Sequence, residues 1–210
     1  MKYLIMHGSY GSPAENWFPW LKAELTKLGH DVILEQFPVD SWDTIEKIGK
    51  EKIGTYQATE SLESWETYFV GHILPQIKNE AVGFVGHSIA PIFMLHMLNK
   101  YDFKLKKAIF VAPFFNIPDA PAVWQFYPVN KTFYSYDFDF GKIQSQIGKS
   151  YVVYGDNDPY VPPAEPPLFA EKLGSEIHII PGGGHCGGIF KDGFPLLIDL
   201  VKDVTATRTA

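Results

Sequence analysis

An apolar run, Ala81-Val82-Gly83-Phe84-Val85, passes without a spacer into Gly86-His87-Ser88-Ile89-Ala90-Pro91, and Ile92 to Leu98 continue as a second apolar run. A buried strand that becomes a helix through one tight turn constrains the chain more than any other feature. The residue at the apex, Ser88, is forced into a strained backbone conformation and stands exposed above the sheet edge. Residues two before and two after it pass close to neighbouring backbone, where bulky side chains clash. Gly86 and Ala90 meet that demand, Ala90 with one methyl more than the glycine usual at its place. Pro91 falls in the first helical turn, where its missing N–H costs nothing. A serine in a strand–turn–helix is by itself an ordinary turn; the apolar flanks make this one a candidate nucleophile.

Either side of this turn, strands and helices alternate. Tyr3–Met6 reads as a first strand, and His7 to Pro13 as a loop by its glycines and proline. A helix capped by Asn16, with Pro19 at its third position, carries the stripe Trp17, Trp20, Leu21, Leu25 and Leu28, and Gly29 stops it. A second strand covers Asp31–Phe37. Residues 40–58 are polar and mixed, a loop with room for one short helix. From Thr59, the spacing of Leu62, Trp65, Phe69, Ile73 and Ile77 predicts a helix that Pro75 kinks or frays. The helix after the turn is apolar nearly all round and should be buried. Further strands are expected at Lys107–Ala112, Tyr151–Tyr154 and Glu176–Ile180. A helix ends at Gly174, and a last amphipathic helix spans Pro195–Val204 ahead of a fraying tail. This alternation predicts a parallel sheet with helices on both faces.

The chain has 210 residues, enough for one domain with a substantial core, and no linker, repeat or low-complexity tract divides it. The net charge of −6 argues against nucleic acid and anionic membrane surfaces as partners. No apolar run approaches the ~20 residues that cross a bilayer, and Tyr3–Met6 is too short for a signal peptide. Cys186 is the only cysteine, so no intrachain disulfide can form, which fits a cytoplasmic location.

Parallel sheets carry their sites at the carboxyl ends of the strands. Three polar groups belong there: Ser88 after the third strand, Gly155-Asp156-Asn157-Asp158-Pro159-Tyr160-Val161-Pro162 after the fifth, and Gly182-Gly183-Gly184-His185-Cys186 after the sixth. A serine hydroxyl is a weak nucleophile until a histidine takes its proton. That histidine needs a carboxylate to hold its tautomer and stabilise its charged form. The order Ser…Asp…His is the one expected of a large fold family.

In Gly86-His87-Ser88, Asp156-Asn157-Asp158-Pro159-Tyr160-Val161-Pro162 and Gly184-His185 the chain resembles the α/β-hydrolases. Within them it is similar to the small serine hydrolases of the YdeN and retinoblastoma-binding protein 9 group, over nearly its whole length. The resemblance implies an α/β-hydrolase fold, a six-stranded parallel sheet of order 2-1-3-4-5-6 with helices on both faces. It also implies a triad of Ser88 as nucleophile, Asp158 as orienting acid and His185 as base. The function expected is hydrolysis of a small ester, thioester or amide through an acyl-enzyme by a monomer or small homo-oligomer, without cofactor or metal. The alternative is a catalytically weak hydrolase fold used as a protein-binding module; against it, no Leu-x-Cys-x-Glu motif is present.

An oxyanion hole needs two N–H donors. The Ile89 N–H at the helix start is one. The other is expected from His7-Gly8-Ser9-Tyr10, with Ser9 favoured over Gly8 and Tyr10. About a third of the chain's aromatic residues fall between Phe110 and Phe140, where such folds carry lids. Residues 114–148 therefore read either as a small aromatic cap or as cover for the sheet edge. Tyr10, Phe114, Phe115, Trp124 and Tyr127 are the candidate pocket residues. Pro118, Pro121 and Pro128 favour an ordered loop over a long helix there. His30, His72, His96 and His178 read as packing or surface residues, His87 as a shaper of the turn, and Gly182-Gly183-Gly184 lacks the lysine of a phosphate loop.

Overall fold

A computed structural model describes residues 1–80, 82–118 and 123–203. Six parallel strands form one sheet in the order β2-β1-β3-β4-β5-β6. They are β1 (Lys2–Met6), β2 (Asp31–Leu34), β3 (Val82–His87), β4 (Leu105–Val111), β5 (Ile147–Gly155) and β6 (Glu176–Ile180). The helices are α1 (Phe18–Lys27), α2 (Trp42–Ile48), α3 (Leu62–Tyr68), α4 (Leu74–Ile77), α5 (Ala90–Lys100), α6 (Tyr127–Asn130), α7 (Phe140–Gln146), α8 (Glu165–Leu173) and α9 (Pro195–Lys202).

Strand side chains alternate between the two faces, and both faces are buried. Leu4, Met6, Phe84, Ala108, Phe110 and Val152 join one core layer with Trp65 of α3, Phe93 of α5, Ile143 of α7 and Phe169 of α8. Tyr3, Ile5, Val85, Ile109, Val111, Tyr151 and Val153 join the other with Trp17, Leu21, Leu25 and the α9 residues Leu197 and Val201. The expected apolar α5 is buried along nearly its whole surface. Among the described residues no helix is long and apolar enough to cross a membrane.

Several elements depart from expectation, some through bonds between segments far apart in the chain. α1 begins one residue later than Asn16 would cap it. Asn16 takes φ 51, Trp17 is the N-cap, and Pro19 falls at the second helical position. Leu28 is exposed at the helix end rather than continuing the stripe. β2 stops at Leu34, and the Phe37 N–H leaves the ladder to donate to His7 Nε2 at 3.0 Å. α3 starts at Leu62 instead of Thr59, because Ser61 is extended at φ −154 and caps the helix in a capping box with Ser64; the Thr59 and Glu60 N–H groups before it donate to the Asp40 carboxylate. Pro75 has no N–H to close the turn from Gly71, and a π-turn at Phe69–Ile73 precedes it. The stripe survives: Trp65, Phe69, Ile73 and Ile77 are all fully buried. Residues 40–58 hold α2 and a 3₁₀ turn, Ile53–Thr55. The segment after β4 contains the single turn α6 and a crossover helix, α7, that its prolines did not announce. The expected end of the last helix at Val204, the tail beyond it, and Pro121 lie outside the described residues.

Candidate active site

The turn between β3 and α5 has the strain that its sequence foretells. Ser88 sits at φ 63, a region that a residue with a side chain rarely occupies, and its N–H donates to the Val111 carbonyl at 2.9 Å. A Cβ built on Gly86 would lie 2.2 Å from the Phe84 ring and 3.2 Å from the Ala90 methyl. Ala90 is therefore accommodated because its opposite number is glycine. The loop after β1 approaches as closely: a Cβ on Gly8 would lie 2.7 Å from Ser88 Cβ.

The loops after β5 and β6 bring the other two groups to Ser88. Ser88 Oγ is 2.9 Å from His185 Nε2, and His185 Nδ1 is 2.7 Å from Asp158 Oδ2. A carboxylate only accepts, so Nδ1 carries the proton and Nε2 presents its lone pair to the serine hydroxyl. The other Asp158 oxygen accepts the Tyr160 and Val161 N–H groups at 2.8 and 3.1 Å, which fixes the carboxylate plane. Asp156 faces elsewhere and accepts the Gly182 N–H at 2.8 Å, while Asn157 Oδ1 accepts the Gly184 N–H at 2.7 Å. Those two bonds tie the Asp158 loop to the His185 loop.

His87 lies under the site. Its Nε2–H donates to the His185 carbonyl at 2.8 Å, and burial holds its pKa down at about 3, so it is a neutral strut. Cys186 is fully buried, and burial, with the Asp158 charge beside it, pushes its thiol up to about 12. Its carbonyl accepts the Trp17 indole N–H at 2.8 Å. A thiol so far from ionising is a packing group. His7, buried in the first loop, bonds through Nδ1 to the Gly8 carbonyl at 2.8 Å.

Ile89 is the N-cap residue of α5, next to Ser88. In the first loop the Tyr10 N–H donates to Glu60 Oε2 at 3.1 Å. That donor is spent, which leaves Ser9 and Gly8 of the three weighed from sequence. Of the candidate pocket residues, Phe114 and Phe115 are fully buried, and Phe115 stacks on Phe169 of α8 with ring centroids 4.9 Å apart. They cover the sheet. Trp124 is half-buried and Tyr127 is exposed. Tyr10 belongs instead to a row of rings reaching His185. Tyr160 meets the His185 ring edge-on at 5.3 Å, Phe126 lies 5.2 Å from Tyr160, and Trp42 and Tyr10 follow at 5.7 and 5.9 Å from Phe126. Phe126 lies in the aromatic segment that the sequence offers as a wall over the serine, whereas sequence reasoning missed Trp42, which opens α2, and Tyr160, because they come from other segments of the chain. Tyr160 had a signal, its place in the Asp158 loop.

The sequence model of the family described as Serine hydrolase matches residues 3–194. No curated protein matches the chain in sequence. Among solved structures, the ydeN gene product from B. subtilis superposes with a TM-score of 0.71 at 20% identity, covering 96% of this chain and 97% of that one. Est1E from Butyrivibrio proteoclasticus, solved with ferulic acid bound, gives 0.62 at 18% identity, covering 96% and 86%. The type II thioesterase BorB from the borrelidin biosynthetic cluster gives 0.61 at 13% identity, covering 97% and 92%. These likenesses are likenesses of fold.

Proposed function

The chain belongs to the serine hydrolase family, and on that premise we propose that it cleaves a small ester, thioester or amide through an acyl-enzyme formed on Ser88. The observation that carries this reading is the unbroken relay from Ser88 Oγ to His185 Nε2 and from His185 Nδ1 to Asp158, at 2.9 and 2.7 Å. Ser88 Oγ attacks the substrate carbonyl carbon while His185 Nε2 takes its proton. The imidazolium is stabilised by Asp158 and then gives that proton to the leaving group as the carbonyl–heteroatom bond breaks. Water then attacks the acyl carbon while His185 Nε2 takes one of its protons; the bond from the acyl carbon to Ser88 Oγ breaks, Oγ takes that proton back from His185, and the acid product departs. The oxyanion of each tetrahedral intermediate is received by the Ile89 N–H and the Ser9 N–H. No step calls for a cofactor. Tyr10, Phe126, Trp42 and Tyr160 would form the apolar wall against which the substrate rests.

A fluorophosphonate probe tests the assignment. It should attach once to the wild-type protein, at Ser88, and not to Ser88→Ala. Undiminished labelling of Ser88→Ala would remove both the nucleophile and the reaction built on it.

A further inference from the structure

The loop that supplies Ser9 is gripped from two sides by buried polar groups that the proposed reaction leaves idle. Glu60 and Asn130 are both fully buried. Glu60 Oε2 accepts the Tyr10 N–H at 3.1 Å, and the Ser9 hydroxyl donates to Asn130 Oδ1 at 2.6 Å. Tyr10 is further tied by its phenol, which donates to the Gln125 carbonyl. Glu60 is itself anchored. Asp40 accepts the Glu60 N–H at 2.8 Å, the Thr59 N–H at 3.2 Å and the Tyr56 hydroxyl at 2.6 Å. The Leu62 N–H donates to Thr132 Oγ1 at 2.9 Å, which joins the two gripping segments to each other.

Such an arrangement works against stability. Tyr10 is held at φ 56, which side-chain-bearing residues rarely adopt. Glu60 is a carboxyl group without solvent, and burial raises its pKa to about 7. Among the described residues, Glu60 Oε1, Asn130 Nδ2 and the Tyr134 hydroxyl are buried with no hydrogen-bond partner. Apolar side chains of the same size would pack here at less cost. What they could not do is fix Ser9. With its side chain tied to Asn130 and the peptide that follows it tied to Glu60, Ser9 cannot swing its own N–H.

We propose that Glu60 is a positioning residue: by holding the Tyr10 amide it aims the Ser9 N–H at the oxyanion, and Asn130 closes the clamp through the Ser9 hydroxyl. The inference rests on the serine hydrolase reading above and on Ser9 as the oxyanion donor. A donor that is misaimed weakens binding of the transition state and leaves substrate binding nearly unchanged, so the effect falls on kcat and not on KM.

Glu60→Met keeps the length and packing of the side chain but cannot accept the Tyr10 N–H; Glu60→Gln can. With a short p-nitrophenyl ester, Glu60→Met should lower kcat by about 10- to 100-fold with KM nearly unchanged, and Glu60→Gln should restore most of it. Amide exchange, followed residue by residue by NMR, should quicken at Tyr10 by about tenfold or more in Glu60→Met and return toward wild type in Glu60→Gln. A Glu60→Met protein with wild-type kcat, or with undisturbed Tyr10 exchange, would overturn the proposal. The exchange measurement needs no substrate, and probe labelling of the wild type at Ser88 reads the hydrolase assignment separately. An active, labelled enzyme that ignores Glu60→Met sinks the clamp alone.

Discussion

Asp156 and Asp158 stand two residues apart in one loop and bond to different partners, the first to the Gly182 N–H and the second to the His185 ring. Only the second can hold the imidazole tautomer. Asp158→Asn should therefore lower kcat by roughly 10⁴-fold, as loss of such an acid does in other triads, and Asp156→Asn far less. Steady-state kinetics of the two variants decide between them; equal losses would show that loop closure, and not charge on His185, sets the rate. Glu60 makes a second prediction at this scale. Its carboxyl is raised from 4.5 to about 7, mainly by burial, with the Tyr10 N–H bond opposing and the Asp40 charge adding. The charged groups and phenols that act with it are Asp40, Tyr10 and Tyr134. A carboxyl whose pKa is raised on folding binds protons more tightly in the folded state, so its penalty is absent below about pH 4.5 and grows to its full size above about pH 7. Glu60→Gln should accordingly gain on the wild type by roughly 2–3 kcal/mol between pH 4.5 and pH 8. Denaturant midpoints at the two pH values measure this, and a gain that is the same at both would show that Glu60 folds with its charge unperturbed.

At the scale of elements, the loops do the chemistry and the helices hold them still. α9 shows how. Lys107, at the amino-terminal part of β4 and nearly buried, donates to the Leu200 and Val201 carbonyls at 2.8 and 2.6 Å and pairs with Asp203 at 2.9 Å. A cation on the last carbonyls of a helix opposes the negative end of its dipole. Tyr151 of β5 adds a 2.8 Å bond to the same Asp203, whose carboxyl the Lys107 ammonium pulls down to about 2. Because the strands are parallel, this latch lies at the end of the sheet opposite Ser88. Lys107→Met should cost about 2–3 kcal/mol of stability, from hydrogen bonds to a charged group, while leaving kcat as it was. Urea unfolding alongside an esterase assay tests both halves, and a fall in kcat at full folding would mean that α9 communicates with the site.

For the whole molecule, the sheet and its helices consume most of the length. The segments left to cover the site are those between β2 and α3 and between β4 and α7. Much of their aromatic content goes inward: Phe114, Phe115 and Phe133 are fully buried. What these segments leave toward His185 is Phe126 and Trp42, in a short row with Tyr10 of the first loop and with Tyr160, which meets the His185 ring. Each methylene that rests on such a row adds up to about 0.8 kcal/mol, and none is gained beyond its edge. Esters with acyl chains of about two to six carbons should then be cleaved faster than long ones, without activation at lipid interfaces. A p-nitrophenyl ester series read as kcat/KM checks this, and a rise continuing through about twelve carbons would show that the covering segments open as a lid.

Sequence reasoning reached the parallel sheet and the elbow because their constraints are local; the strand order and the parts expected of Ser88, Asp158 and His185 came with the resemblance to the α/β-hydrolases. A strand running into a one-turn elbow permits few residues at its apex and flanks, and the loops that carry Asp158 and His185 each follow a strand. Where it fell short, the cause lay in bonds between distant segments. Thr59 would begin a helix on periodicity alone, but Asp40, from another loop, accepts the Thr59 and Glu60 N–H groups while Ser61 stays extended and caps a helix that begins at Leu62. Phe115, stacked on Phe169 of α8, and Tyr160 are both aromatic residues near the carboxyl ends of strands. Packing against α8 and neighbouring loops, which no spacing encodes, buries one in the core and sets the other against His185. Glu60 is the clearest case, a polar residue at the start of a stretch whose spacing reads as helix. Its role comes from a hydrogen bond across 50 residues to Tyr10 and from complete burial. Local pattern decides which elements form; the desolvation and pairing of side chains brought together from far along the chain decide what a residue between those elements does.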